Sequence, residues 1–199
     1  MLEAADDACR RWAGQPPELL SVFSTHSRDA DAVDRMMDTL STAPRNLSPL
    51  TFIRTLTVSV AGSWTQRAGN HRATTTVTAG EASFGVGLLE AAVLTVAEAR
   101  PVLYVFCDIP LPASLRALRP ESTPLAAAMV ISPERKGPCR RLNLEFGRGR
   151  DGPDATAEEV LHALRAPTGT RGRGLSVPTA PHTQFLLHID APLPQVSRP

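Results

Sequence analysis

The sequence predicts an α/β fold: a mixed five-stranded sheet with helices on both faces, followed by an antiparallel C-terminal extension. The clearest unit lies between residues 73 and 107, where a strand, a tight turn, a helix and a second strand follow one another. Residues 73–78 are β-branched, Gly80 follows, residues 81–99 are rich in Ala, Leu and Glu, and residues 101–107 are apolar. Such a crossover places two parallel strands in one sheet with the helix on its face.

The remaining elements follow from hydrophobic spacing and from the positions of Pro and Gly. Before the central unit, the pattern predicts a helix at 3–13, a buried strand at 18–24, a helix at 29–40 and a buried helix at 52–67. After it, the pattern predicts an antiparallel strand pair at 125–131 and 141–146, a capped helix ending at 165, a mobile Pro/Gly/Arg loop at 167–181 and an edge strand at 184–189. We therefore predict a domain at 1–135 and an extension of uncertain structure at 136–199.

Composition excludes several classes of function. The 199 residues carry 21 basic and 20 acidic side chains, so the net charge is +1 and the chain lacks the basic excess that is typical of nucleic-acid-binding proteins. The three cysteines lack disulfide or metal spacing, and neither a signal peptide nor a run of about 18 uncharged apolar residues is visible. We expect a cytoplasmic protein that needs no metal or cofactor and does not bind membranes.

The turn before the central helix is where a nucleophile or a phosphate site is expected, because backbone N–H groups at a helix N-terminus favour negative charge. The turn, residues 77–83, reads Val-Thr-Ala-Gly-Glu-Ala-Ser. It contains no Cys, no Gly-x-Ser-x-Gly elbow and no phosphate-binding Gly-Lys loop. Ser83 has no base nearby in sequence, and its simpler interpretation is a small helix residue facing the sheet.

Other side chains give weak signals. Cys107 follows an apolar strand beside Asp108, which favours an inert buried thiol, while Cys139 is interpreted as a surface thiol in a hairpin turn. His26, after the first strand, is able to line a pocket at the carboxyl end of that strand. His182 and His188 are too far apart to share a metal, and the Gly-Arg tracts at 147–152 and 169–174 are most simply flexible loops.

An ordered series of segments resembles the N-terminal half of β-ketoacyl synthases. These are Leu-Ser-Pro-Leu-Thr-Phe at 47–52, Thr-Val-Ser-Val-Ala-Gly at 57–62, Arg-Ala-Gly-Asn at 67–70, the stretch 75–81 and the stretch 84–92. The chain more closely resembles the short β-ketoacyl-synthase-like proteins that accompany true ketosynthases in aryl polyene and related type II clusters. The resemblance covers roughly residues 3–131 and implies a thiolase-like half-fold.

The resemblance assigns roles to particular residues. The position of the nucleophilic cysteine falls on Ala79, beside Gly80 and Glu81, so the nucleophile is missing. The catalytic histidines and lysine of condensing enzymes belong to a C-terminal half that we do not recognise in this chain. In this family the strand before the nucleophile pairs across the dimer axis, and bulk in the helix at 52–64 is expected to set the acyl tunnel length. The expected interface residues are Thr74, Thr75, Thr76, Val77, Thr78, Phe52 and Trp64.

Three hypotheses follow. The first is a non-catalytic, chain-length-factor-like subunit that forms a heterodimer with an active ketosynthase in type II polyene, polyketide or fatty-acid synthesis, and meets the acyl carrier protein only indirectly. The second is a diverged acyltransferase or ketosynthase that works through Ser83 or Cys107 on acyl carrier protein substrates. The third is a truncated, degenerate gene product that folds poorly alone.

Overall fold

A computed structural model describes residues 1–12, 16–27, 29–43, 46–56, 58–120, 123–134, 139–147, 154–166, 174–180 and 183–190. The helices are α1 (Leu2–Arg11), α2 (Ala30–Thr42), α3 (Pro49–Thr55), α4 (Ser59–Ala68), α5 (Ser83–Ala97) and α6 (Ala157–Arg165). The strands are β1 (Leu20–Thr25), β2 (Thr74–Val77), β3 (Val102–Asp108), β4 (Leu125–Ile131), β5 (Arg141–Gly147), β6 (Leu175–Ala180) and β7 (Thr183–Asp190).

The first sheet has the strand order β2-β1-β3-β4. Strand β1 pairs in parallel with both β2 and β3, and β4 adds to β3 in the antiparallel direction. Every residue of β1 and β3 is buried, as expected for central parallel strands that are covered on both faces. The predicted crossover from β2 through α5 to β3 is confirmed.

Two hydrophobic cores cover the two faces of this sheet. On one face, α1 and α4 pack against Phe23, Leu103 and Val105, and the ring of Trp64 lies 5.9 Å from that of Phe23. On the other face, α5 packs on the alternate side chains of β1 and β3, such as Val22 and Tyr104. The period-two alternation of strands assigns each residue to one of these cores.

A second sheet, with the order β5-β7-β6, lies beyond α5. The close approach of Gly85 in α5 to the backbone of Pro178 in β6 joins this sheet to the helix. Buried residues of β7 and α6, among them Phe185 and Val160, belong to the same core as α5. Thr156 and Glu159 form a capping box that fixes the start of α6.

The structure corrects several predicted elements. Among the described residues the mixed sheet has four strands and not five. The expected pairing of 125–131 with 141–146 is wrong, because β4 pairs with β3 and β5 pairs with β7. The single helix predicted at 52–67 is divided by extended backbone at Leu56 into α3 and α4.

The predicted loop at 167–181 is wrong in part. Residues 175–180 form β6, where Pro178 is tolerated because β6 is an edge strand. Residues 167–173 and 181–182, which include His182, lie outside the described residues, as do 148–153 and the last nine residues. The predicted edge strand at 184–189 is the central strand of the second sheet, since β7 pairs on both sides.

One stretch, Gly80–Ala97, is long and apolar enough to span a membrane by length and composition alone. In the structure this stretch is the turn before α5 and α5 itself, which buries Phe84, Leu88 and Ala91 in the core. The core helix of a soluble protein has the same composition, so this stretch is weak evidence for a membrane span.

Candidate functional site

A cleft of about 950 Å³ opens where the carboxyl ends of β1 and β3 meet the N-termini of α5 and α6. In open α/β sheets, ligands bind at this edge of the strands. The apolar part of its wall includes Phe84, Phe106, Leu125 and Val177, and its polar part includes His26, Glu81, Asp108, Arg119, Thr123, Asp154 and Glu158. The rings of Phe84 and Phe106 stand edge to face with their centroids 5.2 Å apart, which gives the cleft a rigid apolar floor.

The turn between β2 and α5 forms one wall of the cleft and is held by Ser83. The Ser83 hydroxyl accepts a hydrogen bond from the Ala79 N–H at 2.8 Å and donates one to the Gly80 carbonyl at 2.6 Å. Gly80 has a φ of 56°, a left-handed conformation that favours glycine. Ser83 is fully buried, so its hydroxyl shapes the turn and is not presented to the cleft.

Ala79 lies on the wall of the cleft together with Glu81 and Ala82. It is solvent-exposed, and its side chain is a methyl group that carries no nucleophile or proton donor. The residue to which the resemblance assigns the nucleophile position therefore lines the cleft at the start of α5. Any side chain placed there would reach the cleft directly.

A charged pair that the sequence did not single out lies in the same cleft. Both terminal nitrogens of Arg119 donate to the Asp108 carboxylate, at 2.7 Å and 2.5 Å. The hydrogen-bonded carboxylate of Asp108, with a further contribution from Glu81, raises the pKa of Arg119 despite its partial burial. The pair attaches the segment after β3 to the end of that strand. The two residues are 11 positions apart in the sequence, so no local pattern indicates that they meet.

Carboxylates outnumber cations in the cleft. Glu81, Asp108, Asp154 and Glu158 line it, against the cation Arg119 among the described residues. Thr123 donates to Glu158 at 3.1 Å, and Ser176 donates to Asp154 at 3.1 Å, so these carboxylates are oriented by their neighbours. His26, the residue predicted from the end of the first strand, does line the cleft. Such a surface disfavours anionic ligands.

None of the three cysteines is among the described residues that line the cleft. Cys107 is buried on β3, and because side chains alternate along a strand it points away from the face on which Phe106 and Asp108 line the cleft. Burial, and to a smaller extent the neighbouring Asp108, raises the pKa of Cys107, while the charged N-terminus lowers it. Burial, together with Asp6, raises the pKa of Cys9 to about 11. Cys139 is exposed.

The expected interface residues divide into two groups. Strand β2, with Thr74 to Val77 half-buried and Thr78 exposed, lies at the edge of its sheet, and no described strand pairs with its outer side. Phe52 is half exposed, whereas Trp64 is only 1% exposed and packs inside the chain. Trp64 therefore cannot itself contact a partner, because α4 turns its indole towards β1.

An exposed apolar patch surrounds Phe52. We call it the α2–α3 patch; it consists of Met37, Leu40, Leu50, Phe52, Ile53, Leu56 and Val58, each between 42% and 62% exposed. At about 100 Å² for each half-exposed side chain, the seven side chains expose on the order of 700 Å². That is comparable to the largest apolar patches that monomeric proteins expose, which are often functional.

Comparison with known proteins identifies the family. Residues 5–169 match the sequence family described as β-ketoacyl synthase, N-terminal domain. No curated protein matches the chain.

Two solved structures are similar to the chain. A structure of a ketosynthase (ApeO) in complex with its chain length factor (ApeC) from Xenorhabdus doucetiae matches with a TM-score of 0.70 and 20% identity, over 94% of this chain and 74% of that one. β-Ketoacyl-[acyl carrier protein] synthase III from Thermus thermophilus is similar at 19% identity, over 77% of this chain and 44% of that one, with a TM-score of 0.43.

The first of these matches confirms the thiolase-like fold, and the family match covers most of the chain. The chain belongs to the β-ketoacyl synthase N-terminal domain family.

Proposed function

We propose that the chain is a non-catalytic, chain-length-factor-like subunit that pairs with an active ketosynthase in type II polyene, polyketide or fatty-acid synthesis in the cytoplasm. The observation that carries the proposal is the position of Ala79, which lines the cleft in the turn before α5. The resemblance assigns the nucleophile position of condensing enzymes to this residue. A methyl group cannot form the covalent acyl intermediate on which such an enzyme depends.

The two alternative nucleophiles support the same conclusion. The Ser83 hydroxyl is buried and makes two hydrogen bonds to the backbone of the turn, so attack would require the turn to open. Cys107 points to the opposite face of the sheet, and its raised pKa keeps the thiol protonated near neutral pH. The geometry therefore gives no support to a diverged acyltransferase that uses either residue.

Two surfaces support a protein partner. The outer edge of β2 offers backbone N–H and C=O groups to another strand, and an open edge of this kind is a template for pairing between chains. The α2–α3 patch offers apolar area of the size that a partner covers. The matched X. doucetiae structure is a complex of a ketosynthase with its chain length factor, and we extend that arrangement to this chain as part of the proposal. The acyl carrier protein would then act on the complex through the ketosynthase.

Co-expression with a ketosynthase encoded in the same gene neighbourhood, once the neighbourhood has been sequenced, tests the pairing. Gel filtration should give a single peak that contains both proteins, because the edge of β2 and the α2–α3 patch are buried together. Phe52→Glu should weaken the complex, and Leu115→Glu, an exposed leucine outside the patch, serves as the matched control. Two separate peaks with the wild-type chain contradict the proposal.

Intact-mass measurement after incubation with acyl-loaded carrier protein tests the absence of catalysis. The wild-type chain should gain no acyl adduct, since Ala79 offers no nucleophile. In a Cys139→Ser background, where the remaining cysteines are buried, Ala79→Cys places a thiol in the cleft and should become alkylated by iodoacetamide, which shows that the position is accessible. An adduct on the wild-type chain that Ser83→Ala or Cys107→Ala abolishes would establish the acyltransferase instead.

A further inference from the structure

The cleft combines an apolar floor with exposed carboxylates. The rings of Phe84 and Phe106 form the floor, and the exposed side chains of Glu81 and Glu158 line the cleft beside it. Arg119, the cation of this lining among the described residues, donates to a carboxylate of the same lining, so the charges of that ion pair largely cancel. A ligand that complements the remaining side chains carries positive charge next to an apolar group.

One apolar side chain of the cleft is held where it remains uncovered. Leu118 lines the cleft and is 77% exposed at the end of a short 3₁₀ turn. On one side of it Arg119 donates to Asp108, and on the other side Ser114 donates to Asp34 at 2.6 Å. The segment that carries Leu118 is therefore anchored on both sides, and it presents a leucine to the cleft instead of to a core.

The lining of the cleft favours a protein segment as its occupant. Pockets for small ligands measure about 300–1,000 Å³ and enclose most of the ligand. This cleft, at about 950 Å³, is at the upper end of that range and leaves Leu118 largely in solvent. A segment of several residues supplies an apolar side chain and basic side chains at once. The carboxylates disfavour a phosphate-bearing lipid or nucleotide.

We propose that the cleft binds a basic segment of a protein partner. An apolar side chain of that segment packs on the rings of Phe84 and Phe106 and covers Leu118. Lysine or arginine side chains of the segment pair with Glu81 and Glu158. An apolar anchor in a pocket supplies most of the affinity of such a contact, while exposed ion pairs supply mainly specificity and speed of association.

This inference goes beyond pairing with a ketosynthase. The lining of the cleft includes no residue of the α2–α3 patch and none of Thr74–Val77 in β2. A partner segment in the cleft therefore uses a different surface from the two that support the proposed function.

Peptide display on the full chain tests the proposal. A random dodecapeptide library on phage is first depleted on the double variant Glu81→Gln, Glu158→Gln, which we call the cleft variant, and is then selected on the wild-type chain. Depletion removes peptides that bind elsewhere. The recovered peptides should contain at least two Lys or Arg together with Leu, Phe or Trp. Recovery of acidic or neutral peptides, or of none above background, contradicts the proposal.

Fluorescence anisotropy with the most enriched peptide, made synthetically, separates the two kinds of contact. The cleft variant and Leu118→Ser should each weaken binding at least tenfold, and added salt should weaken the wild-type contact. Leu115→Ser is the matched control for the leucine, since Leu115 is 38% exposed and lies outside the lining. Glu3→Gln combined with Glu98→Gln removes the same charge at exposed positions outside the lining. Both controls should bind within twofold of wild type, and circular dichroism of each free variant must match wild type.

Two further outcomes overturn the inference. If Leu118→Ser binds the peptide as tightly as wild type does and spermine displaces the peptide completely, the cleft takes a small cation through charge alone. If the charge control loses as much affinity as the cleft variant, binding follows the net charge of the chain and not the cleft. The assays contain no ketosynthase, so either result leaves the proposed function to its own test.

Discussion

Substitution of Gly87 by alanine tests the packing of α5 on the first sheet. A Cβ atom at this position would lie 2.6 Å from both Cβ and Oγ of Ser24 and 2.7 Å from Cε2 of Tyr104. Neither neighbour moves easily, because the Tyr104 hydroxyl donates to the Phe84 carbonyl at 2.7 Å and lies 2.9 Å from the Ser24 hydroxyl. The alanine therefore forces either the helix away from the strands or the buried hydroxyl pair apart.

The expected loss of stability follows from three terms. Overpacking a core costs about 1–3 kcal/mol, and a strained or broken buried hydrogen bond adds about 1 kcal/mol. The better helix propensity of alanine returns about 1 kcal/mol. The net expectation is a loss of about 1–3 kcal/mol in the free energy of unfolding, which corresponds to a fall in Tm of roughly 3–10 °C for a chain of this length.

Gly62→Ala is the control. Gly62 lies inside α4, and no atom lies within 4 Å of a Cβ placed there. That variant should be stabilised by up to about 1 kcal/mol through helix propensity alone. Urea and thermal unfolding followed by circular dichroism measure both variants. If Gly87→Ala is as stable as Gly62→Ala, the close packing of α5 against Ser24 and Tyr104 is wrong.

Two further predictions concern charged and titrating groups. Arg119→Ala leaves the Asp108 carboxylate, which is 9% exposed, without its bidentate partner, so chemical unfolding should show a loss of about 1–3 kcal/mol in the free energy of unfolding. Arg119→Lys keeps the charge but loses the bidentate geometry and should recover only part of that stability. Full recovery in Arg119→Lys would show that the bidentate geometry is unimportant. Burial raises the pKa of Cys9 from 9.0 to about 11 in the folded chain, so the contribution of Cys9 to stability is complete below pH 9 and is lost as pH rises through 11. The free energy of unfolding, measured from pH 8 to pH 11, should fall by on the order of 1–2 kcal/mol, and the fall should be smaller in Cys9→Ala. An equal fall in that variant would exclude Cys9 as its source.

The cleft links these predictions to function. Phe84 forms its floor, Ser83 fixes the turn that presents Ala79, and the pair of Arg119 and Asp108 holds the segment that closes one side. A thiol introduced at Ala79 would lie within this framework. Under the proposed function, the chain keeps the fold of its family while its partner performs the chemistry.

The sequence by itself determined the features that depend on neighbouring residues. Hydrophobic period and β-branched content located β1, β2, β3 and α5, and the parallel crossover followed because a helix of that length leaves no other connection. The segments around Ala79 determined the family, and the family match over residues 5–169 confirms it. These signals are local, so they are readable without knowledge of the fold.

The tertiary structure decided what depends on residues distant in the chain. The apolar pattern of a strand does not indicate which strand it pairs with. The pairing of β4 with β3 and of β5 with β7 is therefore known only from the three-dimensional structure. The burial of Trp64 and the exposure of Phe52 and Val96 are equally invisible in a sequence, because large apolar residues form cores and interfaces alike. Only the folded chain separates the side chains that it buries from those that it leaves exposed.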